Sequence, residues 1–206
     1  MEFEEYKKEI VEHFRESVRL FSNKGKKELE LWTAQKFLNV LDVPYTDSEL
    51  RQPKDEPPDV AFRDARFEII ELYDEDRRRH DEYRDKLKKA EIARDYSELL
   101  AVQTWDLELV SLTELLASAA ERLERKKGKY SPDTKANLDI IIYVNLPKIT
   151  IDDEDYVFSD QFPSNASLRR WRSVSLVFNR QIVCVAYASV RAPEFIQNAS
   201  NRVIRK

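Results

Sequence analysis

The sequence predicts an α/β domain in which helices flank a mixed β-sheet, with a helical extension at the N-terminus. Apolar residues recur every three or four positions over residues 4–21 and again over 26–41, which indicates two helices before the first strand. Residues 139–144 read DIIIYV and do not alternate, as is typical of a central strand covered on both faces. Helices must therefore lie on both sides of the sheet.

Two β-prone runs, at 59–63 and 67–73, are joined by three residues, a spacing that predicts an antiparallel hairpin. The charged stretch 74–100 that follows is typical of a solvated helix with sparse apolar positions. Two more strands are predicted at 173–178 and 181–187, joined by a tight turn. These elements complete a mixed sheet.

One helix has clear boundary signals. Ser111 and Glu114 fit a capping box at the start of a helix over 112–127. Gly128 follows its end, where a residue of positive φ is expected. The stretch 149–162, which is rich in acidic residues, is predicted to be a connecting segment.

At 206 residues, the chain is predicted to form one domain over 1–206, with an N-terminal helix at 1–24 and a core at 26–198. Hydrophobic residues make up 42% of the chain, too many for a disordered protein. No apolar run reaches the roughly 18 residues that span a bilayer, and the N-terminus is charged, so we expect a cytoplasmic protein with no membrane partner.

Composition excludes several kinds of site. The two glycines cannot supply the glycine-rich phosphate loops of Rossmann and P-loop proteins. One cysteine and two histidines are too few for a zinc site built on either residue type, so a bound metal needs oxygen ligands. Cys184 lies in an apolar run and is expected to be a buried, inert thiol.

The predicted hairpin carries the pattern of greatest chemical interest. Asp59 stands at the start of one strand and Glu68 near the start of its partner, so their carboxylates can converge on one cation. Mg²⁺ takes one or two protein carboxylates and completes its octahedron with water and phosphate oxygens. Such a metal would polarise a phosphate and acidify a bound water. The hairpin alone is also consistent with exposed polar positions and no metal.

This arrangement of helices, strands and acids resembles the PD-(D/E)XK superfamily of restriction-endonuclease-like nucleases. In that resemblance Pro58 and Asp59 form the PD pair and Glu68 is the second acid. Glu28 or Glu30 on the preceding helix matches an extra acid that many members carry. The resemblance implies a restriction-endonuclease-like fold, a Mg²⁺ or Mn²⁺ cofactor held by these acids, and DNA as substrate.

A longer set of segments is similar to a single small bacterial family of about this length. They span residues 22–198 and include SNKGKKELELW, LDVPY, EPPDVAFRDARFEI, VNL and WRSVSLVF. The family is known as a domain of unknown function and described as "putative endonucleases". The resemblance implies endonuclease activity for this chain.

The superfamily lysine should stand two residues after the second acid, where this chain has Ile70. Isoleucine can neither orient a water nor neutralise charge on a phosphate. A basic group from elsewhere must replace it, and Arg77, Arg78 and Lys86 on the following helix are the candidates. Arginine would stabilise charge but could not act as a base. The competing interpretation of Ile70 is loss of catalysis.

Two other basic groups have both a functional and a structural interpretation. Arg169, Arg170 and Arg172 surround Trp171, and could bind phosphates while the indole stacks on a base, or simply flank a core tryptophan. The basic run over 122–129 could contact DNA, or it is explained by its place at the end of a helix, where the helix dipole alone favours cations.

The leading hypothesis is therefore a Mg²⁺-dependent nuclease acting on DNA. Asp59 and Glu68 would bind the metal, and Arg77 or Arg78 would stabilise the phosphate. The alternative is an inactive nuclease fold that serves as a nucleic-acid-binding or protein-interaction module. The sequence leaves the oligomeric state open, a homodimer included.

Overall fold

The computed structural model describes residues 2–22, 24–73, 79–103, 108–126, 128–146, 149–151, 166–178 and 181–206. It contains a seven-stranded mixed sheet with helices on both faces and a helical N-terminal region, so the predicted α/β class is confirmed. The chain divides into two compact units. The first comprises Met1–Leu29 and Glu75–Leu107, and the second comprises Glu30–Asp74 and Glu108–Lys206.

The first unit is helical. Around a small apolar core pack α1 (Phe3–Leu20), α3 (Arg79–Ile92) and α4 (Tyr96–Gln103). The first residues of α2 (Lys26–Val40) also belong to this unit. The charged stretch that was predicted as a solvated helix thus contains two helices. The second begins after Asp95, whose carboxylate accepts a hydrogen bond from the Glu98 amide at 2.9 Å. Gly25 is required in the turn before α2, because a Cβ there would lie 2.4 Å from the Arg19 carbonyl oxygen.

The second unit holds the sheet, whose strand order is β1-β2-β3-β5-β7-β8-β9. The three central strands run parallel and the outer pairs antiparallel. Two short strands, β4 and β6, pair separately. The bounds are β1 (Leu50–Arg51), β2 (Val60–Phe62), β3 (Ala65–Leu72), β4 (Glu108–Val110), β5 (Asp139–Val144), β6 (Ile149–Ile151), β7 (Ser173–Phe178), β8 (Ile182–Ala188) and β9 (Arg202–Arg205).

Apolar side chains bury both faces of this sheet. On one face, α5 (Leu112–Arg125) packs its leucines and alanines against Ile140 and Ile142 of β5. On the other, Ile141 of β5 lies in the cluster with α2 and α7 (Glu194–Gln197). The prediction that β5 is covered on both faces is confirmed, and the short α6 (Pro132–Lys135) leads into this strand.

Several local predictions are confirmed and two are wrong. The hairpin of β2 and β3, the pairing of β7 with β8, and the capping box at Ser111 are all present. Gly128, however, does not have a positive φ, since α5 ends with Lys126 in an ordinary conformation. Ile149–Ile151, predicted as connection, forms β6 with β4; residues 152–165 and the turn at 179–180 lie outside the described residues.

The helices in the described part of the chain include none that is both long and apolar enough to cross a bilayer. The predicted inert thiol is confirmed: Cys184 is fully buried, and burial raises its thiol pKa far above the ordinary value.

A buried carboxylate ties the hairpin to the centre of the sheet. Asp139, at the start of β5, is 1% exposed. One of its oxygens accepts from Arg172 Nε at 3.0 Å and Ser173 Oγ at 2.8 Å. The other accepts from the Arg66 amide at 3.0 Å and from Arg172 Nη2. The same Nη2 donates to the Asp64 carbonyl at 3.0 Å, so one ion pair joins β3, β5, β7 and the hairpin turn.

We expect Asp139→Asn to lower the free energy of unfolding by about 3–5 kcal/mol, because it leaves the Arg172 guanidinium buried without a counter-charge. Urea denaturation measures the loss. Glu121→Gln is the control: it removes an exposed partner of Arg125 and should cost less than about 0.5 kcal/mol. Equal losses in the two variants would contradict this role for Asp139.

Candidate active site

The hairpin places Asp59 and Glu68 opposite each other. Strands β2 and β3 pair in antiparallel fashion, with Val60 opposite Phe67. Extending this register by one residue places Asp59 opposite Glu68. Opposed residues of antiparallel strands project from the same face, with Cβ atoms about 5 Å apart. Both side chains are buried, at 6% and 3% exposure. The strand register is consistent with the expectation that the two carboxylates share one face of the hairpin, and their convergence on one ion stays a prediction.

Asp59 is held by the backbone of the partner strand. Its Oδ2 accepts a hydrogen bond from the Ile69 amide at 2.8 Å. A charge-assisted bond of this kind is stronger than a neutral one and fixes the orientation of the carboxylate. The Asp59 carboxylate is therefore fixed against the backbone of β3, one residue beyond Glu68.

Glu68 is held by two residues that follow α5. Its Oε1 accepts from the Tyr130 hydroxyl and lies 3.4 Å from Lys129 Nζ. Both contacts fall on the same oxygen. Lys129 keeps a side-chain exposure of 56%, so this ion pair joins a buried carboxylate to an ammonium group at the surface.

Helix α5 delivers these residues to the hairpin. Its capping box fixes the start, since the Ser111 amide donates to Glu114 Oε2 at 2.9 Å and the Glu114 amide donates to Ser111 Oγ at 3.3 Å. Its apolar face packs on β3 and β5 in the same cluster as Ile70. The residues that follow the end of α5 therefore lie beside Glu68.

Burial controls the protonation of two groups here. Desolvation raises the pKa of Tyr130 well above its ordinary value of 10, and the bond to Glu68 adds to this, so the hydroxyl remains a donor. Burial lowers the pKa of Lys126 at the end of α5, and the nearby charge of Lys129 lowers it further. The carboxylates of Glu68 and Asp59 oppose that shift, which shows that both act on Lys126.

Ile70 supplies no chemistry. It is 1% exposed and packs with the α5 leucines in the core. The basic groups beside Glu68 are instead Lys126 and Lys129, from a different element. Of the replacements predicted from the sequence, Arg77 and Arg78 lie outside the described residues, while Lys86 lies in α3 of the first unit, 6.0 Å from the Phe14 ring centroid.

The extra acid expected on α2 is not part of a three-acid cluster. Within the described ranges, no three acidic, histidine or cysteine side chains converge on one point. Glu28 is exposed and paired with Arg19, whereas Glu30 is buried on the α2 face that packs on the sheet. Their metal-binding roles stay predictions, and the described geometry supports only Asp59 and Glu68 as a pair.

The three arginines around Trp171 separate into two groups. Arg169 and Arg170 are exposed in a 3-10 turn, Leu168–Arg170, and Arg170 pairs with Glu124 of α5 at 3.3 Å. Arg172 is buried and its guanidinium is engaged by Asp139, so it does not belong with them on the surface. Trp171 is a core residue at 3% exposure, with its ring edge-on to Tyr130.

Sequence reasoning missed Lys126, Lys129 and Tyr130 as site residues. The two lysines belong to the basic run over 122–129, and the helix dipole is a sufficient local reason for cations there. The available signal was indirect: a hairpin with two acids and no lysine is followed by a helix whose end carries several lysines and a tyrosine.

The donor set suits a hard divalent cation. Two carboxylates on one face meet the usual protein contribution to Mg²⁺, whose remaining ligands are water and phosphate oxygens. The contacts to Glu68 involve Oε1 alone, so Oε2 accepts neither of them. Asp59 and Glu68 are therefore the residues that would hold the ion.

A family model matches residues 2–206 and is described as "Putative endonuclease, protein of unknown function (DUF1780)". The chain belongs to this family. The resemblance noted from its sequence segments is thereby confirmed, and the activity of the family is given only in the words of that description. No curated protein is detectably similar to the chain.

The fold of this DUF1780 member is similar to a solved structure from Pseudomonas aeruginosa strain PAO1. That structure is of a protein of unknown function described as belonging to the monooxygenase superfamily. The TM-score is 0.67 with 27% sequence identity, and the match covers 100% of this chain and 97% of the other. The two proteins share the fold over their whole length.

We expect Tyr130→Phe to destabilise the protein by about 1.5–3 kcal/mol at pH 7, because a buried charged acceptor loses its donor. The pKa of Tyr130 is raised in the folded state, so its contribution is complete below about pH 10 and is lost as the pH rises further. Urea denaturation should therefore show that the difference in the free energy of unfolding between wild type and variant is smaller at pH 10.5 than at pH 7. A larger difference at pH 10.5 would contradict the assignment.

Proposed function

We propose that this family member is a metal-dependent nuclease that hydrolyses DNA phosphodiesters, with Mg²⁺ or Mn²⁺ held by Asp59 and Glu68. The observation that supports the proposal is that two buried acids lie on one hairpin, where Lys129 pairs with Glu68 and the charges of both acids act on Lys126. This is a degenerate PD-(D/E)XK site in which the lysine comes from another element.

The residues of the site would have separate roles in the hydrolysis. When bound, the metal polarises the scissile phosphate and acidifies a water. Asp59, fixed by the Ile69 amide, and Glu68 orient that ion. Lys126 and Lys129 place positive charge beside the phosphate, where it stabilises the charge that develops during hydrolysis. They supply the charge that Ile70 cannot.

Tyr130 acts as a positioning residue. Its hydroxyl donates to Glu68 Oε1 and its ring packs edge-on against Trp171, with centroids 5.8 Å apart. Because the hydroxyl stays protonated, it holds Oε1 of Glu68, and Oε2 would be the oxygen that binds the ion.

An alternative function is retained because of Ile70. A nuclease fold without its catalytic lysine could bind nucleic acid or a partner protein and cleave nothing, and the contacts of Glu68 with Lys129 and Tyr130 would then be structural. The monooxygenase description concerns the Pseudomonas protein. The carboxylate and lysine groups of this chain favour phosphodiester hydrolysis over that chemistry.

We expect Glu68→Gln to reduce the rate of plasmid nicking with Mg²⁺ or Mn²⁺ by at least about 100-fold, because it removes one of two anionic ligands. Glu71→Gln is the matched control: it lies on the same strand but on the opposite face, where it accepts from Asn145 at 2.7 Å. Its nicking rate should be close to wild type. Wild-type protein that nicks neither plasmid nor single-stranded DNA would favour the alternative function.

We expect Lys126→Gln and Lys129→Gln each to slow nicking by about 10²–10³-fold, as loss of one group that stabilises transition-state charge does. Lys206→Gln, at the C-terminus beside Asp42, should have no effect.

The pH profile distinguishes charge stabilisation from base catalysis at Lys126. Because its pKa is lowered, wild-type nicking should fall as the pH rises toward 10.5, the ordinary lysine value, if the charged form is needed. The Lys126→Arg variant should remain active, and its nicking rate should not decrease over this pH range, because arginine stays charged. An inactive Lys126→Arg variant would contradict charge stabilisation and indicate a base.

A further inference from the structure

A basic surface lies beside the Asp59 and Glu68 pair. It consists of Arg125 and Lys126 at the end of α5, Lys129 in the following turn, and Arg169 and Arg170 in the 3-10 turn before β7; we call these five residues the basic platform. The ion pair between Arg170 Nη1 and Glu124 Oε1, at 3.3 Å, joins the 3-10 turn to α5. Lys129 connects the platform to Glu68.

The platform faces solvent. The side chains of Arg125, Lys129 and Arg170 are 53%, 56% and 52% exposed. Two acids lie among them: Glu121 pairs with Arg125 at 3.3 Å, and Glu124 pairs with Arg170. Glu68 also pairs with Lys129, and the charge of Asp59 acts on Lys126, so five cations are set against four carboxylates and leave a small positive excess on a chain whose net charge is −4.

The helix dipole does not account for this arrangement. It favours cations only in the last turn of α5, whereas Arg169 and Arg170 belong to another element that approaches from the side. Burial lowers the pKa of Lys126, and the positive charges of Lys129 and of the neighbouring Arg122 lower it further, against the opposing charges of Glu68 and Asp59. Like charges held together in this way are relieved when an anion binds among them.

The aromatic residues beside the platform are unavailable to nucleobases. Trp171 and Tyr130 are 3% and 8% exposed and pack against each other. Proteins that bind single strands typically stack bases on exposed aromatic rings, whereas contacts to duplex phosphates need only cations. Among the residues that the structure describes, the platform therefore suits the backbone of a duplex, because its two neighbouring aromatic rings are buried and cannot stack on the bases of a single strand.

We propose that the basic platform binds the phosphate backbone of duplex DNA, without reading its sequence, and thereby brings a phosphate to Asp59 and Glu68. This inference rests on the proposed function, since it names the form of DNA that the site takes. The contacts are electrostatic, so affinity should fall steeply as salt rises.

The test measures DNA binding separately from cleavage. A fluorescent 20-base-pair duplex of arbitrary sequence is titrated with full-length protein in EDTA, and the association constant is determined by anisotropy at several NaCl concentrations. For Arg169→Gln/Arg170→Gln we expect the slope of log K against log[NaCl] to become less negative by about 1.8, the effect of two lost phosphate contacts. Affinity at 100 mM NaCl should drop on the order of tenfold.

Two variants control for charge and for folding. Arg202→Gln/Arg205→Gln removes the same charge from β9, at the far edge of the sheet, and should bind as wild type does. Arg169→Lys/Arg170→Lys keeps the charge and should keep the wild-type slope. A single strand of equal length should bind more weakly than the duplex.

The proposal is overturned if the wild type does not bind the duplex, if the single strand binds as tightly, or if the β9 variant loses as much affinity as the platform variant. Because EDTA removes divalent ions, a protein that binds DNA through the platform but nicks no plasmid would refute the proposed hydrolysis alone. Binding lost with nicking retained would refute the platform alone.

Discussion

The buried ion pair between Asp139 and Arg172 is the interaction on which the rest of the structure depends. Asp139 is the only acid in β5, and it joins the start of β3, the start of β7 and the turn of the hairpin through Arg66, Ser173, Arg172 and the Asp64 carbonyl. An unpaired charge in this position would cost several kcal/mol. The pairing therefore fixes where the hairpin lies on the central strand, and with it the positions of Asp59 and Glu68.

The candidate site combines a hairpin with a helix and its following turn that are distant from it in sequence. Strands β2 and β3 provide the carboxylates, and α5 and its following turn provide Lys126, Lys129 and Tyr130. The α5 face that packs against Ile70 and the β5 isoleucines determines where the helix ends. Ile70 thus contributes to the site by packing: the position that holds a lysine in the superfamily pattern anchors, in this chain, the helix that carries the lysines.

Local patterns were enough to predict the hairpin, the central strand and the α5 cap, because neighbouring residues determine them. The placement of Asp59 and Glu68 on one hairpin followed from the same local patterns. The partners of Glu68 did not, since Lys129 and Tyr130 are more than 60 residues away and are brought to it by helix packing. Short strands such as β1 and β6 depend on pairing with distant segments, and the burial of Arg172 depends on Asp139, which no local pattern shows.

The central claim is that Asp59 and Glu68 together hold a divalent metal ion, and calorimetric titration of Mn²⁺ into wild type and Asp59→Asn tests it most directly. The account predicts a single saturable binding event in the wild type that is lost in the variant, with both proteins unfolding in urea at similar midpoints. Equal Mn²⁺ binding by the two proteins, or no binding by the wild type, would contradict it.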